Sequence, residues 1–572
     1  MILQALERYY QRKTENADAE LSPFGFEKKT IPVVFEINLN AQLVQIRIID
    51  SKIDSDACEF IVPQGVKKTS GIAANLMWDN AEYALGIDTR GNPERVAKQH
   101  HAFIDRIEQL PASGISDPGV QALLQFLREF DRDSLRQRAD WEYFSANPNL
   151  SFRLQGDSNL ICQRPAVISA LLSESKSDES TAFCLVSGKS GIPERLHPAI
   201  KGVWGAQTSG ANIVSFNLDA FNSYAKSQGY NAPVSQISSF AYTTALNHLL
   251  RKGSTQRIQV GDASTVFWAE NADPMEQDFQ SIWGATPKSI NDDPDRYTEA
   301  VKTVLSAVQR GHWSINPSEK RFFVLGLAPN AARISIRFWI VSTVDEISRR
   351  TAQYFKELEI VHPPNESGFL PLFRLLVNIA HRDKSENIPP NLAGEVMHCI
   401  LTGKAYPYTL LAAAIRRCRA AQDVKYERAA LIKACLIRNQ PTEEIQVSLD
   451  KANPNTAYRL GRVFAVLEKI QEEANPGINA TIRERYYGAA SANPLSVFAT
   501  LLKLKNHHLA KLENPGRKTN FEKLLGEIFT EIPPDLPPNL SLQDQGRFAV
   551  GYYHQRQDFF TKHTHSIQGE SA

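Results

Sequence analysis

Hydrophobic periodicity changes its step near Val341 and does not change back. Before that point, β-branched runs with the two-residue repeat of strands occupy residues 32–37, 43–49, 182–186, 213–218, 258–268, 322–327 and 333–340. Asn38-Leu-Asn-Ala-Gln separates the first two and reads as a hairpin turn. Helical spacing marks residues 96–110, 119–130 and 234–250, and Ile2, Leu3, Leu6 and Tyr10 share one helical face. The two kinds mix without the regular alternation of a doubly wound sheet. After Val341 helix follows helix, broken at Pro363-Pro364, Pro389-Pro390, Pro441, Pro454, Pro476, Pro494, Pro515 and Pro533-Pro534. Leu460, Val463, Phe464, Leu467 and Ile470 form a core-facing stripe, as do Val497, Phe498, Leu501, Leu504 and Leu512, and Phe521, Leu524, Leu525 and Ile528. Ser541-Leu-Gln-Asp544 opens a last helix in the manner of a capping box. The expected class is α+β: a mixed α/β N-terminal region followed by an all-α C-terminal helical bundle. The expected divisions are 1–345, a helical connecting region 346–445, and a bundle 446–572 ending in a polar tail from about Lys562.

A chain of 572 residues with 42% hydrophobic and 22% charged residues can fill more than one core, which excludes a disordered or disulfide-stapled protein. Lys plus Arg number 64 against 63 Asp plus Glu, so the net charge is +1 and bulk attraction cannot coat the chain with nucleic acid. From Leu411 onward the balance is +5, and before it −4, which makes the C-terminal part the more suited to a phosphate backbone. The six cysteines lie far apart, with no zinc or redox spacing. Neither a secretory leader nor a membrane-length apolar run is visible, so a cytoplasmic location without membrane contact is expected.

Enzyme signatures fail on inspection. Gly188-Lys189-Ser190 lacks the glycine of a phosphate-binding loop five residues earlier, where Phe183 stands. His381-Arg382-Asp383 has no accompanying kinase motifs. His100-His101 and His507-His508 are adjacent pairs whose rings diverge on a helix, and Asp262 is a lone acid. No catalytic residue, metal or cofactor is expected.

Three segments have the composition of a nucleic-acid contact. In the first, Lys67 and Lys68 suit phosphates, Thr69, Ser70 and Gly71 offer short donors, and Asn75 suits a base edge; a solvated turn is the plain alternative. In the second, Gly202, Gly205 and Gly210 accompany Gln207, Ser209 and Asn212 in a thin loop that would equally join two core strands. The third is spread over the C-terminal helices: Arg416, Arg417 and Arg419, then Lys425, Arg428, Lys433 and Arg438, then Lys503, Lys505, Lys511, Arg517 and Lys518. Any one such cluster is ordinarily a solvated face; several on successive helices favour a backbone track. Arg333, Ser335 and Arg337 also alternate with Ile334, Ile336, Phe338 and Ile340 along one strand.

The chain resembles the large subunit of type I-C CRISPR Cascade, the Csd family. The segments that carry this are Met1-Ile-Leu-Gln-Ala-Leu with Tyr9-Tyr10, Val62-Pro with Lys68-Thr-Ser-Gly71 and Leu76-Met-Trp-Asp-Asn80, Arg195-Leu-His-Pro198 with Lys201-Gly-Val, Gly205-Ala-Gln207, Val214-Ser-Phe-Asn217, Gly261-Asp and Val266-Phe-Trp-Ala269. Further along are Phe323-Val-Leu-Gly-Leu-Ala-Pro-Asn330, Leu460-Gly-Arg462, Leu467-Glu-Lys469, Asn479-Ala-Thr-Ile482 and Gly551-Tyr-Tyr-His-Gln-Arg556. The resemblance runs almost end to end. It implies a non-catalytic subunit that recognises the protospacer-adjacent motif on double-stranded target DNA, promotes unwinding and R-loop formation, and stabilises the displaced strand. The implied partners are the guide RNA ribonucleoprotein, Cascade backbone and repeat-handle-binding subunits, small subunits, and the CRISPR helicase-nuclease. It also implies that the C-terminal bundle can be made separately as a small subunit. On this reading the motif-side contacts are Lys67, Lys68, Thr69, Ser70, Gly71, Asn75, Gln207, Ser209 and Asn212. The backbone contacts are Arg416, Arg417, Arg419, Lys503, Lys505, Lys511, Arg517 and Lys518. A nuclease with an unconventional site and a purely architectural subunit are the competing readings.

Overall fold

The structure is a computed structural model that describes residues 1–14, 21–49, 58–66, 71–112, 116–174, 181–284, 294–310, 320–440, 442 and 445–561. It combines a mixed α/β N-terminal region with a helical C-terminal part, the class expected from the sequence. The chain forms two compact units. One comprises Leu3–Pro198 and Val214–Leu246; the other comprises Ala199–Ile213 and Asn247–Ala572.

The first unit is built on a four-stranded sheet in the order Leu43–Ile48, Val33–Ile37, Asn149–Leu154, Trp78–Asn80. Val33–Ile37 pairs antiparallel with the first and parallel with Asn149–Leu154. The expected hairpin is closed by Asn38, whose Oδ1 accepts from the backbone of Asn40 (3.0 Å) and Gln42 (2.9 Å). Phe35 and Phe152 from the sheet pack with Phe103 and Phe126 of helices Pro93–Ala112 and Pro118–Glu129, all buried. A separate ribbon pairs Phe26–Thr30 with Glu59–Pro63.

The second unit contains an antiparallel meander in the order Arg333–Thr343, Arg321–Asn330, Ala263–Ala269, Arg257–Val260. Several expectations need correction here. The run at 258–268 is two strands rather than one, because Gly261 (φ 60°) and Asp262 turn the chain back on itself. The alternation along 333–340 is interrupted by a bulge: Gly326 pairs with Phe338 and Leu327 with Ile336, leaving Arg337 as the extra residue. Ile336 is therefore exposed, although Ile334, Phe338 and Ile340 are buried. A Cβ on Gly326 would lie 2.5 Å from the Phe338 ring, so the bulge and the glycine belong together. Residues 213–218 also fail to form a strand.

One hydrophobic core continues from Ile258 in this sheet to Tyr553 in the last helix. Helix Tyr426–Asn439 is buried along nearly its whole length, and helix Leu542–Asp558 covers one side of it, with Gly546 against Ile432 and Leu436. Leu460, Val463, Phe464, Leu467 and Ile470 are all buried in helix Thr456–Ala474, as the stripe predicted. This helix and Leu542–Asp558 approach so closely that only glycine fits. A Cβ on Gly461 would lie 2.1 Å from the Phe548 carbonyl oxygen, and one on Gly551 2.1 Å from that of Tyr458. Ser541 caps the last helix by accepting from the Asp544 N–H at 3.1 Å.

Helix Ile482–Ala490 begins with a capping box in which the Thr481 N–H donates to Glu484 Oε2 (2.6 Å). Burial opposes ionisation of Glu484, but bonds from Thr481 and Arg483 outweigh it and hold the carboxyl at about 2, below its ordinary 4.5. In that interval the unfolded chain binds more protons than the native one. The contribution of Glu484 is thus present above pH 4.5 and lost as pH falls toward 2. Urea midpoints are expected to drop less between pH 6 and pH 3 in Glu484→Gln than in the parent.

Candidate nucleic-acid interface

The first candidate segment enters its turn from Pro63 and is braced from three sides. The Trp78 indole N–H donates to the Pro63 carbonyl (2.8 Å), Glu27 Oε1 accepts from Gly65 N (3.1 Å), and Asn75 Oδ1 accepts from Val66 N (3.0 Å). Asp79 in turn accepts from Asn75 N (2.9 Å), and Asn80 caps the short helix Ala81–Ala84. Lys67, Lys68, Thr69 and Ser70 lie outside the described residues. Gly71 is exposed. Asn75 is only 5% exposed and its carbonyl already holds Val66, so it braces the turn rather than presenting a base-reading edge. The sequence showed an amide beside two lysines; it did not show that the amide faces inward.

The second segment belongs to the other unit. Ile200 and Ala211 exchange two backbone hydrogen bonds (2.8 and 2.9 Å) that close the base of the loop. Asn247 Oδ1 accepts from Lys201 N at 2.7 Å, and Ser264 Oγ accepts from Trp204 N at 2.9 Å. Gly202 and Gly210 adopt φ of 86° and 97°, and a Cβ on either would meet backbone oxygen, of Leu250 at 2.6 Å and of Ile200 at 2.9 Å. These restraints present Gln207, Thr208 and Ser209 as an exposed tip. Asn212 stands outside it: its N–H donates to Ala332 and its carbonyl accepts from Ile334, joining the loop to the sheet edge at Arg333.

The C-terminal cations separate by environment. Arg416 and Arg419 are exposed on helix Tyr408–Ala421, and Lys503 is exposed on helix Pro494–Lys511. Lys505 and Lys518 are half-buried. Lys511 donates to Asn475 (3.1 Å), and Arg517 forms a two-pronged pair with Glu473 (2.8 and 2.6 Å) above the Phe521 ring. Arg417 bonds Asp383 at 3.1 Å. Burial raises the Asp383 carboxyl, but Arg417, Arg428 and Lys425 together bring it below its ordinary range. Arg428, Lys433 and Arg438 cannot follow a phosphate backbone. Arg428 is buried on Asn378, Asp423 and Asp383; Lys433 donates to the Glu357 carbonyl; Arg438 lies 2.8 Å from the Glu357 carboxylate.

A family model described as CRISPR-associated protein (Cas_Csd1) matches residues 6–560. The chain belongs to the Cas_Csd1 family. No curated protein matches it. The Cas_Csd1 assignment agrees with the resemblance read from the sequence, and several segments that carried it meet in space. Glu468, fully buried, accepts from Tyr552 (2.6 Å) and from the hydroxyl of Thr481 (2.8 Å), with Arg483 and Arg556 at 3.6 and 3.8 Å. Arg462 reaches Gln555 at 3.2 Å. Those residues hold three helices together.

Three cavities of this Cas_Csd1 chain went unseen in the sequence. One of about 610 Å³ is lined by Asp262, Arg337, Glu395 and His398; a second, of about 360 Å³, shares Glu395 and Asn391 with it and reaches Arg416. A third, of about 340 Å³, shares Asp262 with the first and reaches Trp204. Asp262 and Arg337 are paired at 2.5 Å. The first and third cavities join residues far apart in the chain, and their only local signal was an aromatic residue, Trp204, among turn glycines. Among the described residues no group of three or more His, Cys, Asp or Glu is arranged to hold a metal ion, and no helix is long and apolar enough to cross a membrane.

Proposed function

We propose that this Cas_Csd1 chain is the non-catalytic large subunit of a type I-C Cascade. It recognises the protospacer-adjacent motif on duplex DNA, promotes R-loop formation, holds the displaced strand and recruits the helicase-nuclease. The guide RNA supplies sequence reading, leaving the protein the short motif and the backbone. The observation that carries this reading is the loop from Ala199 to Asn212. Its base is locked, its glycines permit close approach, and its exposed tip offers uncharged donors and acceptors suited to base edges. Arg416, Arg419 and Lys503 supply exposed cations for phosphates.

The test separates the two roles in the assembled complex. Gln207→Ala with Ser209→Ala should reduce discrimination between motif and non-motif duplexes by about 1–3 kcal/mol. Arg416→Ala with Arg419→Ala should weaken binding to every duplex and flatten the salt dependence by about 0.9 in slope for each phosphate no longer neutralised. Identical losses on motif and non-motif DNA for the loop variant would remove the role assigned to its tip. The purified chain with labelled DNA and magnesium should give no cleavage, and a product that tracks with the wild-type chain would revive the nuclease reading.

A further inference from the structure

The antiparallel meander of the second unit ends in a sheet edge that is left unguarded. Strand Arg333–Thr343 pairs on one side with Arg321–Asn330. On its other side Asn212 meets it only at Arg333, donating to the Ala332 carbonyl (3.3 Å) and accepting from Ile334 N (3.0 Å). The alternation of the ladder fixes which groups point outward beyond that bridge. Val344 N donates to the Lys320 carbonyl at 3.1 Å, so Ser342 and Ile340 face the neighbouring strand in the same way. Trp339, Val341 and Thr343 therefore turn their N–H groups away from the sheet, and Trp339 and Val341 their carbonyls as well. Among the described residues these outward groups have no hydrogen-bond partner. Residues 338–343, Phe-Trp-Ile-Val-Ser-Thr, contain no charge, proline or glycine. Sheets ordinarily protect their edges with such residues or by keeping the edge strand short. The other edges of the described sheets do so. Trp78–Asn80, Arg257–Val260, Ala182–Phe183 and Ser190–Gly191 have four residues or fewer. Leu43–Ile48 carries Arg47, Phe26–Thr30 carries Lys28 and Lys29, and Glu59–Pro63 carries Glu59. The bulge guards Arg333–Thr343 only as far as Arg337. Beyond it Val341 is 52% exposed, and Trp339 is half-buried with its ring stacked on Phe323 at 5.6 Å.

We propose that residues 338–343 take up an extended, uncharged segment of a partner protein as a fifth strand of this four-stranded sheet. Donors and acceptors repeating at every second residue match another extended backbone; a nucleotide or a single side chain cannot answer them in series. Cross-strand pairing puts apolar or β-branched residues of the segment beside Trp339 and Val341. A second copy of this chain makes too small a contact. Two such edges paired antiparallel about Val341 align only residues 339–343, because the bulge at Arg337 ends the ladder on one side and helix Val344–Leu358 on the other. So short a ladder buries far less than the roughly 1,200–2,000 Å² of a specific interface. An arm of a partner that is held to the chain by further contacts meets no such limit. The inference concerns a protein contact and stands apart from the DNA contacts proposed for the loop at 199–212.

Hydrogen exchange of the full chain, resolved to single amides by fragmentation mass spectrometry, tests this in the isolated chain and in the complex purified with it from its native cells. In the isolated chain the amides of Trp339, Val341 and Thr343 should exchange faster than those of Ile340 and Ser342, which sit in the ladder. In the complex the three should slow by about tenfold or more as each gains a hydrogen bond. Val341→Pro removes one outward N–H and no ladder bond. It should leave the unfolding midpoint of the isolated chain near that of the parent while protection at Trp339 and Thr343 in the complex is lost. Val341→Lys keeps the N–H but charges the edge, should lose the same protection, and serves if the proline variant does not fold. Val341→Thr, uncharged and β-branched, should retain it. Unchanged exchange at all three amides in the complex overturns the inference, as does a chain that purifies without any partner. Protection that survives both Val341→Pro and Val341→Lys would mean a covering contact without strand pairing, and also overturns it. Slowing of the same amides in the isolated chain as its concentration rises would give the edge to a second copy and overturn it as well. None of these results bears on Gln207 and Ser209, whose role is read from motif discrimination.

Discussion

Gly551→Ala is expected to lower stability by about 3 kcal/mol or more, because the added methyl meets a backbone oxygen and no side chain can swing aside. The approach is 2.1 Å to the Tyr458 carbonyl, and Gly461 faces the same difficulty 2.1 Å from Phe548. Helices Thr456–Ala474 and Leu542–Asp558 must separate along their line of closest approach to admit it. Separation would loosen the buried packing of Phe464 with Phe548 and Tyr552, whose rings sit 6.0 and 5.9 Å apart. Guanidinium unfolding followed by circular dichroism reads the loss. Gly526→Ala is the control: a Cβ there meets nothing within 4 Å, and alanine should stabilise its helix slightly. Equal midpoints for Gly551→Ala and the parent would show that the two helices do not meet as described.

The second large effect is expected from Glu468→Ala, at about 3–5 kcal/mol, the usual result of removing one member of a buried charged group. Glu468 is fully buried, and its removal takes the acceptor from the Tyr552 hydroxyl and the nearest buried countercharge from Arg483. Arg556 keeps Glu472 at 2.9 Å, and Arg483 keeps Glu484 at 3.0 Å, so the helix ends should remain formed while the centre loosens. Glu468→Gln, which still offers an acceptor to Tyr552, should cost less than alanine. The comparison of unfolding midpoints for the two variants separates missing charge from missing shape.

Patterns that repeat within one element were readable in advance. The stripe from Leu460 to Ile470 needs nothing beyond its own spacing to declare a buried face, and the Ser541 cap is a bond across three residues. Features that depend on distant partners were not readable. Arg428 looks like any surface arginine until Asp383 and the Asn378 carbonyl are brought to it by another part of the chain. The Arg337 bulge is invisible locally because it arises from how Leu327 and Gly326 align with the neighbouring strand. For the candidate interface, glycines and amides marked the right kind of loop at 199–212. Burial then decided which amides face outward: Gln207 does, and Asn75 does not.

The nearly all-round burial of helix Tyr426–Asn439 bears on how the C-terminal part would behave if produced on its own. A polypeptide starting at residue 446 would keep the glycine crossing and the Glu468 cluster. It would shed the neighbour that shields one flank of Leu542–Asp558, baring the greasy strip around Gly546. Such a liberated piece would need a replacement for that flank, so self-association, or docking on another subunit, becomes the condition for its solubility.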